Sequence, residues 1–291
     1  MTDHVTTVAS EDRGRSVRLV PFLFGVAYQL ERTALPGSVL VTLLGDLGLS
    51  APAARALIAR MRRDGQLAGT RNGRTVDYRL AGTFADSFHR IRTAATGAPW
   101  AGWRGHEEAW DGRFHAVLYQ VPERQRAFRD LLRRTGILHG YGLLQQGVLI
   151  CTADRRERLA EVLARAPRDV TVHLGQLHMD VQDAARAAYT AWDLGTLDHT
   201  YRAHARTLRT ALSRRATPPP PNGRSLRRFA DLISGPLVDT LRATGLPAEL
   251  TPDGWSLPVL HSAINEVRRV YVPPATRYLR GLLGDPGQSS T

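Results

Sequence analysis

Between residues 16 and 65 apolar positions recur at spacings of three and four in three successive stretches, and that period predicts helices over about residues 17–31, 37–46 and 51–64. The boundaries are written locally. Pro36 and Gly37 punctuate the first gap and Gly45 and Gly48 the second; Ser50 stands at an N-cap position with Pro52 in the first turn, and Gly65 closes the third stretch. After Gly65 the period drops to two. The segments QLAGT and TVDYRL alternate around Asn72-Gly73, a pair that tolerates positive φ and therefore predicts a hairpin turn.

From residue 113 to about 177 the pattern reads strand, helix, strand, helix, strand. The segments are FHAVLYQV, ERQRAFRDLLRRTG, YGLLQQGVLIC (a strand pair or one long strand), RRERLAEVLARA and DVTVHLGQL. From Val181 onward the signal is helical, broken by Pro218 to Pro221 and by LPAELTPDGW; four consecutive prolines predict a stiff extended connector. The expected class is α+β: an N-terminal winged helix-turn-helix, a central ferredoxin-like domain and a mostly helical C-terminal domain. The divisions expected are a polar arm over 1–15, the winged domain over 16–92, a connector rich in Gly, Ala, Pro and Trp over 93–112, the ferredoxin-like domain over 113–180, and the helical region over 181–291.

The third helix carries the first chemistry. Ala54, Leu57, Ile58 and Met61 fall on one face and predict a core contact. Opposite them stand Pro52, Ala53, Arg55, Ala56, Ala59, Arg60 and Arg63, with Ser50 at the start; small residues permit close approach to base edges, and the guanidinium forks suit bases and phosphates. The hairpin tip adds Arg71, Asn72 and Arg74. A basic hairpin beside a basic helix predicts contact with duplex DNA, the helix in the major groove and the wing on neighbouring backbone. One winged helix covers a short half-site, so a homodimer on an inverted repeat is expected.

Charge agrees with this reading without requiring it. The 291 residues include 39 arginines and no lysine against 27 acidic residues, for a net charge of +12. With 43% hydrophobic and 23% charged residues, this is the composition of a folded globular chain. The single cysteine, Cys151, excludes an internal disulfide and an all-cysteine zinc site, which fits the cytoplasm as the expected location. The apolar run LVPFLFGVAYQL is too short to span a bilayer and predicts a buried helix. Neither a membrane partner nor a cofactor is expected.

The runs AARALIARMRRDGQL and RNGRTVDYRL resemble the winged-helix domain of the phenylacetate-degradation repressor (PaaX-like) family. WDGRFHAVLYQVPERQRAFRDLLRRTG with YGLLQQGVLI resembles that family's central domain, and LPAELTPDGW followed by a helix its C-terminal domain. The resemblance covers about residues 16–285. It implies a transcriptional repressor of a catabolic operon, released from DNA by an acyl-CoA or aryl-acyl-CoA effector. The chain departs from the family at Ala243-Thr244-Gly245, where an Arg-Asp-Pro-like segment is typical, and in its tetraproline. Candidate effector residues are Trp192, Tyr201 and Trp255 for an acyl group, with Arg202 and Arg206 as phosphate anchors.

Other classes find less support. The central domain also resembles the ferredoxin-like CRISPR spacer-acquisition nucleases, which hold a divalent cation with a carboxylate at the end of the first strand. Here that position reads Tyr119-Gln120-Val121-Pro122, and Glu123 beyond the proline starts the next helix. His173 and His178 fall on opposite strand faces, and His199 and His204 are misaligned on a helix, so no metal site is expected. No G-x-S-x-G elbow occurs, and Gly140-x-Gly142 precedes a strand instead of a helix, so no catalytic residues are assigned. A DNA-binding protein without a small-molecule ligand remains a further alternative.

Overall fold

The computed structural model describes residues 19–82, 85, 110–214, 217–240 and 246–284. The expected arm over 1–15 and most of the connector over 93–112 lie outside the described residues, as do Ala243-Thr244-Gly245. The described chain mixes helix and sheet, with a sheet domain in the middle and a helical C-terminal region. Its contacts divide it into two compact units: residues 1–93, 205–237 and 261–291 form the first, and residues 94–204 and 238–260 the second.

The first unit opens with helix α1 (residues 19–28), which buries Val20, Leu23, Phe24, Val26 and Ala27. It ends three residues before its hydrophobic pattern predicts. Residues 29–31 tighten into turns whose N–H groups donate to the carbonyls of residues 26–28, and Glu31 takes a φ of 57°, which no helix continues. Strand β1 (Leu35–Pro36) leads into α2 (Gly37–Asp46) and, across a four-residue turn, α3 (Ala51–Arg63). Both helices match the predicted positions, α3 stopping one residue early. Ala54, Leu57, Ile58 and Met61 of α3 are at most 5% exposed and pack with Val39, Leu40, Leu43 and Leu44 of α2 among the buried apolar residues.

Strands β2 (Leu67–Asn72) and β3 (Thr75–Leu80) form the hairpin, in a three-stranded sheet of order β1-β3-β2. The turn sits one residue further along than the Asn72-Gly73 pair suggests. Asn72 is the last residue of β2, opposite Thr75, and the two-residue loop is Gly73-Arg74 with Gly73 at φ 60°. Asn72 is held in the strand because its Nδ2 donates to Asp77 Oδ2 (3.0 Å) while Thr75 Oγ1 donates to its carbonyl (2.9 Å). Within the turn the positive φ falls at Gly73, its first central residue, the place where a II′ hairpin puts glycine.

The second unit is built on strands β4 (Arg113–Gln120), β5 (Gly142–Gln145), β6 (Val148–Cys151) and β7 (Thr171–His178), ordered β5-β6-β4-β7 with every neighbour antiparallel. Helix α4 (Arg126–Leu138), preceded by a 3-10 turn over Glu123–Gln125, connects β4 to β5. The expected helix over 155–166 is only a 3-10 turn (Arg156–Leu159) and a single α turn, α5 (Ala160–Leu163). One face of the sheet packs Val117, Tyr119, Leu149 and Cys151 on Phe128, Leu132 and Leu159 from these helices. On the other face Trp110, Phe114 and Trp192 form an aromatic row with centroids 5.1 and 6.3 Å apart. Gly142 makes this possible, because a Cβ there would come within 2.8 Å of the Trp192 indole.

Helix α6 (Val181–Ala191) starts on an Asp180 cap and covers β5; α7 (Leu194–Ser213), α8 (Gly223–Thr240) and α9 (Leu257–Leu283) follow. Residues 218–221 lie outside any helix, as four prolines require. Helix α9 nevertheless contains Pro273 and Pro274, and there Thr276 Oγ1 donates to the carbonyls of Val272 and Pro273, each at 3.0 Å.

Candidate nucleic-acid interface

Helix α3 is set by its first turn. Ser50 Oγ accepts the Ala53 N–H at 3.3 Å, which satisfies one of the donors a helix start leaves open. Pro52, Ala53, Arg55, Ala56, Ala59, Arg62 and Arg63 are exposed, so the helix presents a strip of small residues flanked by guanidinium groups. Arg60 is half-buried, a more restricted position than its place in the pattern suggests. Arg62, which the pattern does not single out, lies over the Tyr78 ring at 5.9 Å and ties α3 to β3. At the hairpin tip Arg71, Asn72 and Arg74 are exposed, and Arg71 Nε donates to the Gly73 carbonyl at 3.3 Å. No ion pair among the described residues involves Arg55, Arg60, Arg63, Arg71 or Arg74.

The turn between α2 and α3 is gripped by helices from the far end of the chain, within the same unit. Tyr278 of α9 donates its hydroxyl to Asp46 Oδ2 at 2.7 Å. Burial first, then the hydrogen bond and charge of Asp46, push the Tyr278 hydroxyl up to about 12, so it remains a donor at any working pH. The Asp46 carboxylate also lies against Gly223 at the start of α8, where a Cβ would overlap it and where a helix N-terminus favours an anion. Gly48, at φ +100°, sits 3.1 Å (from its would-be Cβ) from the Arg227 guanidinium, so both backbone and space demand glycine. Phe22 of α1 packs edge-on to Phe229 of α8 (5.2 Å), which stacks on Tyr271 of α9 (5.7 Å).

Of the residues considered for an effector, several are engaged in packing or pairing. Tyr201 is fully buried; its hydroxyl donates to the Asp239 carbonyl (3.0 Å) and its ring meets Trp255 edge-on at 5.2 Å. Arg202 is engaged, its Nε donating to Ser256 Oγ (2.9 Å) and its Nη2 pairing with Asp198 (2.5 Å). Trp192 is a packing residue of the aromatic row, 8% exposed, and Arg206 is exposed on the part of α7 that belongs to the first unit. Thus Tyr201, Arg202 and Trp255 share one hydrogen-bonded and aromatic network.

At the end of β4, Glu123 accepts from Arg129 Nη1 at 2.8 Å, and this hydrogen bond holds its carboxyl below the usual range. Asp111 accepts the Arg113 N–H at 3.0 Å. Of the helical histidines, His204 lies 2.8 Å from Asp239 and His199 is exposed. Among the described residues no group of three or more His, Cys, Asp or Glu comes together to hold a metal, and no helix is long and apolar enough to cross a membrane.

Comparison with known proteins now identifies the class. Residues 13–84 match the model of PaaX-like proteins, and residues 107–188 that of the PaaX protein central Cas2-like domain, together more than half of the chain. The chain belongs to the PaaX-like family, a family of regulators. It is also similar in structure to the uncharacterized protein Rv0674 from Mycobacterium tuberculosis, at 21% identity and a TM-score of 0.51, over 82% of this chain and 90% of that one. That likeness speaks to the fold. No curated protein matches the sequence.

Proposed function

We propose that this protein is a sequence-specific regulator of transcription, a repressor that binds operator DNA as a homodimer through a winged helix-turn-helix formed by α1–α3 and the β2–β3 hairpin. The observation that carries the reading is the exposed strip of α3, small residues between arginines that no carboxylate neutralises, beside a hairpin tipped with Arg71 and Arg74. Ser50, Pro52, Ala53 and Ala56 allow α3 to enter the major groove, Arg55 and Arg60 read bases, and Arg63, Arg71, Asn72 and Arg74 contact backbone. The order of the central strands supports a ferredoxin-like domain, which serves here as scaffold and not as nuclease.

The test is selection of an operator from random duplexes, followed by fluorescence anisotropy across a salt series. Each lost phosphate contact flattens the slope of log K against log salt by about 0.9, so Arg71→Ala and Arg74→Ala each lower it while weakening all sequences alike. An unchanged slope in both variants rejects the wing.

The effector of this regulator is an acyl-CoA or aryl-acyl-CoA thioester, the part of the proposal supported by family membership. A thioester acts as an inducer only by binding the DNA-free state better, and operator must then weaken thioester binding by the same factor. Calorimetry with phenylacetyl-CoA, shorter thioesters and the free acids, with and without operator, measures both sides of that cycle. Equal affinity in the two states leaves a ligand-independent DNA-binding protein.

A further inference from the structure

The pattern at the start of α8 leaves one side of that helix to arginine. Asn222 Oδ1 accepts the Ser225 N–H at 3.0 Å and fixes where the helix begins. From there Ser225, Leu226, Phe229, Ala230 and Ile233 are buried, whereas Arg224, Arg227 and Arg228 are exposed. Spacings of three and four gather side chains on one helix face, so the three guanidinium groups form a stripe over the first two turns. None of them makes a hydrogen bond or an ion pair among the described residues, and Asp231, which continues the face one turn later, lies beyond ion-pair distance of all three.

Packing within the first unit places this stripe beside α3. The Asp46 carboxylate, at the end of α2, occupies the space where a Cβ of Gly223 would stand, and one turn further along α8 the Arg227 guanidinium lies against Gly48. Two residues of α8 thus rest on the chain on either side of Leu47, and Phe229 on the buried face holds the helix there through Phe22 and Tyr271. Gly48 is two residues from Ser50, a separation of at most about 7 Å. Arg227 therefore lies within about 12 Å of the start of α3, no further than the width of a major groove. An arginine laid against a backbone turn without a hydrogen bond keeps all its N–H donors for a partner.

The chemistry of the stripe selects the partner. Guanidinium forks in a row suit a polyanion with regularly spaced charges, and each strand of a duplex offers a phosphate about every 3.4 Å along its axis. The neighbouring basic surface is the exposed strip of α3, whose arginines are likewise unpaired with acids among the described residues, so a single duplex can engage both. We propose that Arg224, Arg227 and Arg228 grip the phosphate backbone beside the groove that α3 enters, a second DNA contact made from outside the winged helix by a helix of the C-terminal region. This rests on the DNA-binding function proposed above and lengthens the site beyond what α3 and the wing cover.

Titration of the selected operator with the full chain, as wild type and as the triple variant Arg224→Ala, Arg227→Ala, Arg228→Ala, tests the clamp. Each lost phosphate contact flattens the slope of log K against log salt by about 0.9, and the triple variant binds at least about tenfold more weakly while keeping the far-ultraviolet spectrum of the wild type. Its preference among operator sequences stays that of the wild type, because backbone contacts carry no sequence information. Methylphosphonate substitution locates the contact. Neutralising the phosphates beside the groove weakens the wild type and leaves the triple variant, which has lost their partners, unaffected. Arg224→Ala with Arg228→Ala, which keeps the contact at Gly48, takes its place where the triple variant fails to fold. A wild-type salt slope in the variant, or equal sensitivity of both proteins to every methylphosphonate, rejects the clamp and leaves the winged helix standing. A wild type that selects no duplex overturns both.

Discussion

Helices α3 and α4 have thirteen residues each and four arginines each, yet among the described residues α4 pairs two of its four with acids and α3 pairs none. On α4, Arg129 pairs with Glu123 and Asp130, and Arg126 with Asp130; Arg124 just before it pairs with Asp169. On α3 no arginine meets a carboxylate among the described residues, and Arg62 spends its charge on an aromatic face. Guanidinium count is therefore a poor guide to nucleic-acid binding. What separates a surface that attracts phosphate from one that is merely solvated is whether acids on the same surface have already compensated it.

The largest effect should come from truncating both helices in parallel. Arg55→Ala with Arg60→Ala should remove the proposed base contacts, about 1–3 kcal/mol each, so operator affinity should fall by about 100-fold or more in anisotropy titrations. Arg126→Ala with Arg129→Ala on α4 leaves it within about threefold. Equal losses from the two pairs break the comparison.

Acid should weaken the unit that contains α3. His261 in that unit is 4% exposed, and burial lowers its imidazole to about 4. The unfolded chain, with an ordinary histidine near 6.5, takes up the proton first as pH falls. Stability is full above about pH 6.5 and is lost between there and about pH 4, by up to about 3 kcal/mol. Urea unfolding at pH 7.5 and 5 measures the loss, and His261→Gln should flatten it.

A smaller effect tests the grip on the α2–α3 turn. Tyr278→Phe keeps the ring but removes the hydrogen bond to Asp46, a loss of about 1 kcal/mol in urea unfolding, and operator affinity should fall with it. Gly48→Ala adds backbone strain and crowds Arg227 at the same turn, and should act in the same direction. Smallest of all is Glu123→Gln on the compensated side. Glu123 itself is mostly exposed and Arg129 keeps Asp130 nearby, so the melting temperature and the operator affinity should both stay close to wild-type values.

Local signals were legible and long-range ones were not. The bounds of α2 and α3, the Ser50 cap and the buried face of α3 follow from period, punctuation and a side chain three residues away. The hairpin was legible to within one residue; Asn72 moved into the strand because Asp77, five residues on, engages its amide. Residues 155–166 have a helical period but yield little helix, since much of that stretch tightens into 3-10 geometry. The grip of Tyr278 on Asp46 spans 232 positions, and no periodicity encodes it. The same holds for the effector candidates: a tryptophan reads alike in sequence whether it lines a pocket or, like Trp192, fills the space above a glycine.

The proline pair in α9 has a consequence for the timing of local opening. Pro273 and Pro274 offer no N–H, so the carbonyls of Arg269 and Val270 lose the donors that a helix would supply four residues later. The Thr276 hydroxyl donates further along, to the carbonyls of Val272 and Pro273, and so does not replace them. The helix is continuous in shape but interrupted in its hydrogen-bond ladder, and opening at one end need not pass through the break. Amide protons before residue 273 should exchange with deuterium as one cooperative block and those after 274 as another. Since Tyr278 lies in the second block, the anchor on the α2–α3 turn can loosen without melting the rest of α9.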